Sequence, residues 1–203
     1  MKILCIGRNY AEHAKELKNE IPSEPVVFMK PSTALTRNNK IFFYPEFTKN
    51  LHYEGELVLK ISKNGKHIAE KFVRKYFEEI TLGIDFTARD LQNKCKERGM
   101  PWEIAKAFDG SAVVGNFVTM KEIENSGNIH FTLKRNGNVV QRGESKDMLF
   151  RFERIISYLS QYFTLLEGDL VFTGTPQGVG EVKLNDVYEG YLGEKKVMSC
   201  KIK

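Results

Sequence analysis

Two glutamates flanking one glycine give the stretch His52-Tyr53-Glu54-Gly55-Glu56-Leu57-Val58-Leu59-Lys60-Ile61 its chemical interest. From Glu54 onward the residues alternate as a strand does. Glu54, Glu56 and Val58 share one face, and Leu57, Leu59 and Ile61 share the other. Residues two apart on a strand point the same way, roughly 6.6 Å apart. Carboxylates placed like this repel, and burial would raise their pKa values. A divalent cation removes the conflict, because hard cations take oxygen ligands. Gly55 leaves the opposite face open to a close neighbour. Taken alone, the strand fits two solvated glutamates on an exposed face more readily. The metal reading therefore needs support from elsewhere in the chain.

Several other groups could supply it. His13 and Glu16 are three apart on a predicted helix and share a face, where a histidine can serve as general base. Such a pair alone is more often a surface pair. Lys30 closes the predicted strand Val26–Met29, because Pro31 forces it extended and stops the ladder. Asp85 ends a predicted strand over Ile80–Ile84, and Arg89 and Gln92 follow at helical spacing, so the three can face one pocket. Lys106 sits between apolar residues. Thr173-Gly174-Thr175-Pro176-Gln177-Gly178-Val179-Gly180 follows the predicted strand Leu170–Phe172, and its glycines let backbone N–H groups approach an anion.

The remaining elements position these groups. Lys2–Ile6 reads as a buried strand, and Asn9 with Glu12 as a capping box for a helix from Tyr10 to about Asn19. Ile41–Tyr44 reads as a strand. Lys63-Asn64-Gly65-Lys66 closes the two-glutamate strand with a turn signal. Glu70–Glu79 reads as a helix with Phe72, Val73, Tyr76 and Phe77 inward. Thr87 with Asp90 caps the next helix, which Arg98-Gly99 closes. Ile129–Arg135 and Val139–Gly143 form a hairpin across Asn136-Gly137. Phe150–Tyr162 is an amphipathic helix, and Lys196–Ile202 a final strand.

Composition narrows the function classes. With 203 residues, 41% hydrophobic and 28% charged, the chain is expected to form one globular domain spanning residues 1–203. No run reaches membrane length and the opening residues lack a signal-peptide pattern, so no membrane association is expected. Cys5, Cys95 and Cys200 lack metal or disulfide spacing and suit a reducing compartment. A net charge of +5 with pI near 9.0 raises nucleic acid as a partner. The lysines, however, are interleaved with acids and lack aromatic-basic pairing, which argues against it.

In this order the segments resemble the fumarylacetoacetate hydrolase family over nearly the whole chain. The resemblance is carried by Gly7-Arg8-Asn9-Tyr10-Ala11-Glu12-His13, Phe28-Met29-Lys30-Pro31-Ser32, and His52-Tyr53-Glu54-Gly55-Glu56 followed by Asp85. It continues through Thr87-Ala88-Arg89-Asp90-Leu91-Gln92, Ala105-Lys106-Ala107-Phe108-Asp109 and Gly174-Thr175-Pro176-Gln177-Gly178-Val179-Gly180. The compact form is most similar to the acylpyruvate hydrolase and oxaloacetate decarboxylase branch. The resemblance implies an α+β fold, a mixed β-sandwich roll of the family's C-terminal domain type, in a cytoplasmic homodimer. It implies Mg²⁺ or Mn²⁺ on Glu54, Glu56 and Asp85, with a small 2-oxo acid as substrate. By the same resemblance His13 is the base oriented by Glu16, and Lys106 is the oxyanion donor helped by Gln92. Arg8, Lys30, Arg89, Gln92, Gly174 and Thr175 are carried over as substrate holders. One departure is visible. Where many members carry prolines, this chain has Gly110-Ser111-Ala112-Val113-Val114-Gly115, so the loop beyond Lys106 is expected to differ.

The chemistry so implied is hydrolytic C–C cleavage of acylpyruvates, 2,4-dioxo acids such as fumarylpyruvate or acetylpyruvate. Oxaloacetate decarboxylation would pass through the same enolate. The family alternative is a 2-hydroxyhepta-2,4-diene-1,7-dioate isomerase or decarboxylase. The alternative of another class is a catalytically silent metal- or anion-binding protein.

Overall fold

The structure is a computed structural model that describes residues 1–16, 21–37, 40–123 and 127–203; the side chains of residues 13–15 lie outside it. The first third of the chain holds β1 (Ile3–Gly7), α1 (Ala11–Glu16), β2 (Val26–Lys30), β3 (Leu35–Arg37), β4 (Ile41–Phe42), β5 (Leu51–Tyr53) and β6 (Gly55–Ile61). Next come β7 (Phe77–Asp85), β8 (Thr87–Ala88), α2 (Arg89–Glu97), α3 (Glu103–Lys106), β9 (Ala112–Val114), β10 (Val118–Thr119) and α4 (Met120–Ile123). The last third holds β11 (His130–Arg135), β12 (Asn138–Glu144), α5 (Phe152–Tyr162), β13 (Leu170–Phe172), β14 (Gly180–Glu181), β15 (Val187–Leu192) and β16 (Lys195–Ile202).

Among the described residues these strands form three sheets. The largest runs β2-β1-β13-β6-β7-β9-β3, with β10 also on β7; the second runs β12-β11-β15-β16-β4; the small third runs β14-β5-β8. The second sheet lies against the first through β15 and β16 on β7. The architecture is the mixed α+β roll that the resemblance implies.

β6 sits at the centre, antiparallel to both β13 and β7. Leu57, Leu59 and Ile61 enter the main core with Leu82, Ile84 and Leu133. Val58 enters a second core with Ile3, Cys5 and Phe172. The alternation read from the sequence holds, but both faces are buried. Burying each such aliphatic side chain is worth roughly 1.5–3 kcal/mol. The exposed-face reading of the two glutamates is thereby overturned, since Glu54 is 5% and Glu56 2% exposed. Gly55 does admit a close neighbour: a Cβ there would lie 3.0 Å from Gln141 Oε1 and 3.1 Å from Leu133 Cδ2.

Several local expectations give way to tertiary structure. Asn9 is bonded into distant backbone. Its amide donates to the carbonyls of Thr173 (2.7 Å) and Phe150 (3.1 Å), and its Oδ1 accepts from Phe150 N (2.8 Å). Thr87 belongs to β8 and the α2 cap is Ala88, without a side-chain bond. Asp90 accepts instead from Thr48 Oγ1 at 2.5 Å. The predicted helix over Glu70–Glu79 is a 3-10 turn over Glu70–Lys75 followed by β7, with Val73 inward and Phe72 46% exposed. The strand predicted to Tyr44 stops at Phe42. Lys63–Lys66 is no tight hairpin turn, because Gly65 pairs with Leu165. The predicted helix beyond Glu16 falls on residues 17–19, outside the described set.

Candidate metal and substrate site

β5 and β6 are interrupted by a single residue, Glu54, whose carbonyl accepts from Asp85 N at 2.8 Å. The β6–β7 register, Gly55 opposite Ile84 and Glu56 opposite Gly83, puts the end of β7 beside the start of β6. The three buried carboxylates of Glu54, Glu56 and Asp85 therefore converge, with one oxygen of each within 4.8 Å of the others. Burial and then the neighbouring charge of Asp85 raise the Glu56 pKa well above its ordinary value. Glu56 is held in place by Gly174 N, 2.8 Å from its Oε2. Gly174 has φ +98°, and a Cβ there would fall 2.6 Å from Asn9 Cβ, so only glycine fits the turn.

Cations surround the carboxylates. α3 delivers the Lys106 ammonium 2.6 Å from Glu54 Oε2 and 2.8 Å from Asp85 Oδ2. Burial disfavours that ammonium, but Asp85 and then Glu54 outweigh burial and push its pKa up to about 12. Arg89, the first residue of α2, places Nη2 2.5 Å from Glu54 Oε1 and Nη1 2.5 Å from Gln92 Oε1. Lys30, at the end of β2, lies 2.7 Å from Asp85 Oδ1 and 2.9 Å from Ser111 Oγ, and also donates to the Lys106 carbonyl.

A pocket opens over this cluster, with about 410 Å³ between its atoms, part of it open to solvent. It brings together Glu54, Glu56, Asp85, Arg8, Arg89, Gln92, Lys106 and Thr175, all expected from the resemblance. Gly174 stands beside it on Glu56. Lys30 does not line it, being engaged behind Asp85. Glu16 is exposed and does not line it either; its Oε1 accepts from Gly178 N at 3.2 Å, which ties α1 to the glycine-rich loop. The His13 side chain lies outside the described residues.

Two residues escaped sequence reasoning. Gln141 on β12 accepts from Gly55 N (2.8 Å) and donates to Thr175 Oγ1 (2.8 Å) and Pro176 O (3.0 Å), tying the carboxylate strand to the glycine-rich loop. Ser111, in the loop that departs from the family pattern, holds Lys30 and bonds the Lys106 carbonyl at 2.9 Å. Neither carries a local signal, since each matters only through residues far away in sequence.

The donor set fits a hard divalent cation. It is all oxygen and buried, with mutually repelling charges, and Asp85 Oδ1 accepts no aligned hydrogen bond although Lys30 stands close. A histidine- or thiolate-ligated zinc site would need other ligands.

Residues 2–203 match the fumarylacetoacetate hydrolase C-terminal family model. The chain belongs to this family. Among its relatives is a protein from Bos taurus named oxaloacetate tautomerase FAHD1, mitochondrial, 44% identical over 99% of this chain and 90% of that protein. A fumarylpyruvate hydrolase from Pseudomonas aeruginosa, crystallised with Mn²⁺ and pyruvate, superposes with TM-score 0.91 at 36% identity, covering 100% of this chain and 89% of that one. A 5-carboxymethyl-2-hydroxymuconate delta-isomerase from Mycobacterium smegmatis superposes at 0.87 with 29% identity, covering 99% and 78%. The fumarylacetoacetate hydrolase family thus holds tautomerase, hydrolase and isomerase relatives of this chain. Among the described residues no helix is long and apolar enough to cross a membrane.

Proposed function

We propose that this chain is a Mg²⁺- or Mn²⁺-dependent enzyme that converts small 2-oxo acids through their enolates. The observation that carries the reading is the buried Glu54–Glu56–Asp85 cluster with the Lys106 ammonium on two of its members. A divalent ion held there supplies a Lewis acid for the 2-oxo acid head. Lys106 stays protonated and offers a donor to the oxygen on which charge develops. Arg89, bonded to both Gln92 and Glu54, orients the substrate carboxylate together with Gln92, and Thr175 also lines the pocket.

Decarboxylation of oxaloacetate reaches the enolate with these groups alone, while keto–enol exchange also moves a proton between C3 and the 2-oxygen, for which a water in the open pocket serves as carrier. Hydrolysis of an acylpyruvate needs an activated water as well, which His13 supplies with Glu16 orienting it. We therefore place oxaloacetate tautomerisation first and acylpyruvate hydrolysis second, a ranking supported by the cattle relative's higher identity. The test loads the protein with Mn²⁺ and follows the decay of enol-oxaloacetate and pyruvate release from acetylpyruvate and fumarylpyruvate. Metal-dependent turnover of oxaloacetate is expected, and full activity in excess EDTA would overturn the proposal.

A cytoplasmic homodimer belongs to the same proposal. Cys5, Cys95 and Cys200 are free and buried, as suits a reducing compartment. Phe47 and Ile104, 53% and 60% exposed on one apolar patch, suit a partner subunit. A monomer by light scattering across a wide concentration range would contradict the dimer.

A further inference from the structure

Arg89, Gln92 and Lys96 follow one another at spacings of three and four on α2, so they share a face, and all three line the pocket. The first two belong to the carboxylate end. Lys96 lies one turn further along the same face. Its ammonium stands 5.7 Å from the centroid of Trp102, whose ring lies 6.0 Å from that of Phe28. The Lys106 ammonium stands 5.2 Å from Phe28. An aromatic pair thus stands beside two cations, Lys106 bonded to the carboxylate cluster and Lys96 on α2.

Among the described residues Lys96 forms no ion pair, although Glu54 is near enough to favour its ammonium, and Arg8 Nε is buried without a hydrogen-bond partner. Burial, Arg89 and Arg8 lower the Lys96 pKa, as expected of an ammonium facing other cations. Among the described residues the pocket lining holds four cations, Arg8, Arg89, Lys96 and Lys106, against three carboxylates. A divalent ion adds to that positive excess. One substrate carboxylate at the metal leaves part of this positive charge unmatched.

We infer that Lys96, seated over Trp102 and beside Arg8, binds the second carboxylate of a 2-oxo diacid and makes the site selective for diacids over neutral-tailed 2-oxo acids. This rests on the proposed binding of the 2-oxo acid head at Glu54, Glu56 and Asp85. The Phe28 and Trp102 rings, tilted 55° to each other in the pocket lining, offer apolar surface to the carbon spacer of a diacid. Lys96 is a specificity residue that touches the tail and takes no part in enolate formation.

The test is calorimetric binding of 2-oxoglutarate and 2-oxovalerate, which differ by a carboxylate for a methyl group, to Mn²⁺-loaded protein. The unaltered protein should bind the diacid at least about 10-fold tighter. Lys96→Gln should weaken the diacid about 10- to 100-fold and leave 2-oxovalerate within about twofold, while Lys96→Arg keeps the preference. Equal affinity of the two acids on the unaltered protein overturns the inference. So does an equal loss of both acids, or no loss of either, in Lys96→Gln. If neither acid binds more tightly with Mn²⁺ than without, the head-group reading fails first and takes this one with it.

Discussion

Glu54, Glu56 and Asp85 stand at the junction of β5 with β6 and at the end of β7, between 0 and 5% exposed, whereas Glu16 stands exposed on a six-residue helix. The carboxylates are fixed by groups that also build the fold: the β6–β7 ladder, Gly174 N and the Gln141 bridge. Glu16 accepts from Gly178 N in the glycine-rich loop. The contrast separates two kinds of requirement. On the carboxylate side chemistry and stability are coupled, because charges placed for a cation repel without it. On the α1 side chemistry can be altered with little cost to the fold.

The largest expected effect comes from Glu56→Gln. Loss of one charge from the cluster should lower metal-dependent turnover about 10³-fold or more. Added Mn²⁺ should raise the melting temperature of the parent and not that of the variant. The same variant tests the coupling by pH. Because the folded-state pKa of Glu56 is raised, folding binds protons there, and that contribution is full below 4.5 and is lost as pH rises through the raised value. The metal-free parent should therefore lose stability relative to Glu56→Gln as pH increases from 4.5. A difference independent of pH would break the coupling.

His13→Ala comes next. A general base contributes about 10²–10⁴-fold, so acylpyruvate hydrolysis should fall by that factor, roughly 3–5 kcal/mol of barrier. Decarboxylation of oxaloacetate on the same preparation should fall clearly less, and the melting temperature should not move. Equal losses in both reactions would remove His13 as the water-activating base. Gln141→Leu sharpens the contrast from the other side. It leaves Gly55 N without its buried acceptor and should cost about 1–3 kcal/mol in urea unfolding, with turnover reduced as Thr175 loosens. Unchanged stability would show that the bridge is dispensable. The smallest effect belongs to Glu16→Gln. An exposed pair contributes about 0–1 kcal/mol, so hydrolysis should fall by no more than about fivefold with stability intact.

The parts of this site that were legible in the sequence are those with local periodicity or steric punctuation. The alternation from Glu54 to Ile61, the Asn136-Gly137 hairpin with both residues at positive φ, and Leu170–Phe172 appear in the structure as read. Thr87 departs from its expected cap because its hydroxyl turns back to the Asp85 carbonyl and its backbone pairs in β8, and only the packed chain decides between these partners. Glu70–Glu79 carried apolar residues at helical spacing, yet Phe77 opens β7 and packs against Ile61 across the ladder. β15 was missed because Gly190 interrupts its apolar alternation; the glycine is needed where Leu82 Cδ2 would lie 2.7 Å from a Cβ. Lys96 shows the opposite limit. Its spacing from Arg89 and Gln92 was present in the sequence, but its meaning depends on Trp102 and Phe28 arriving from other elements.

β1 pairs in parallel with β13, Ile3 opposite Leu170 and Cys5 opposite Phe172, and Asn9 then bonds Thr173. On the ribosome this has a consequence in time. β1 has its central partner only after about 170 further residues are made, on the order of ten seconds or more at ordinary elongation rates. Until then Leu4 and Ile6, which end in the main core, have no β13 to pack beside. Such long-range closure is slow in folding as well. The pocket, bounded at one end by Ile6-Gly7-Arg8 and at the other by Thr175, is thus completed only after release of most of the chain, and a nascent fragment ending before Leu170 should bind no metal tightly.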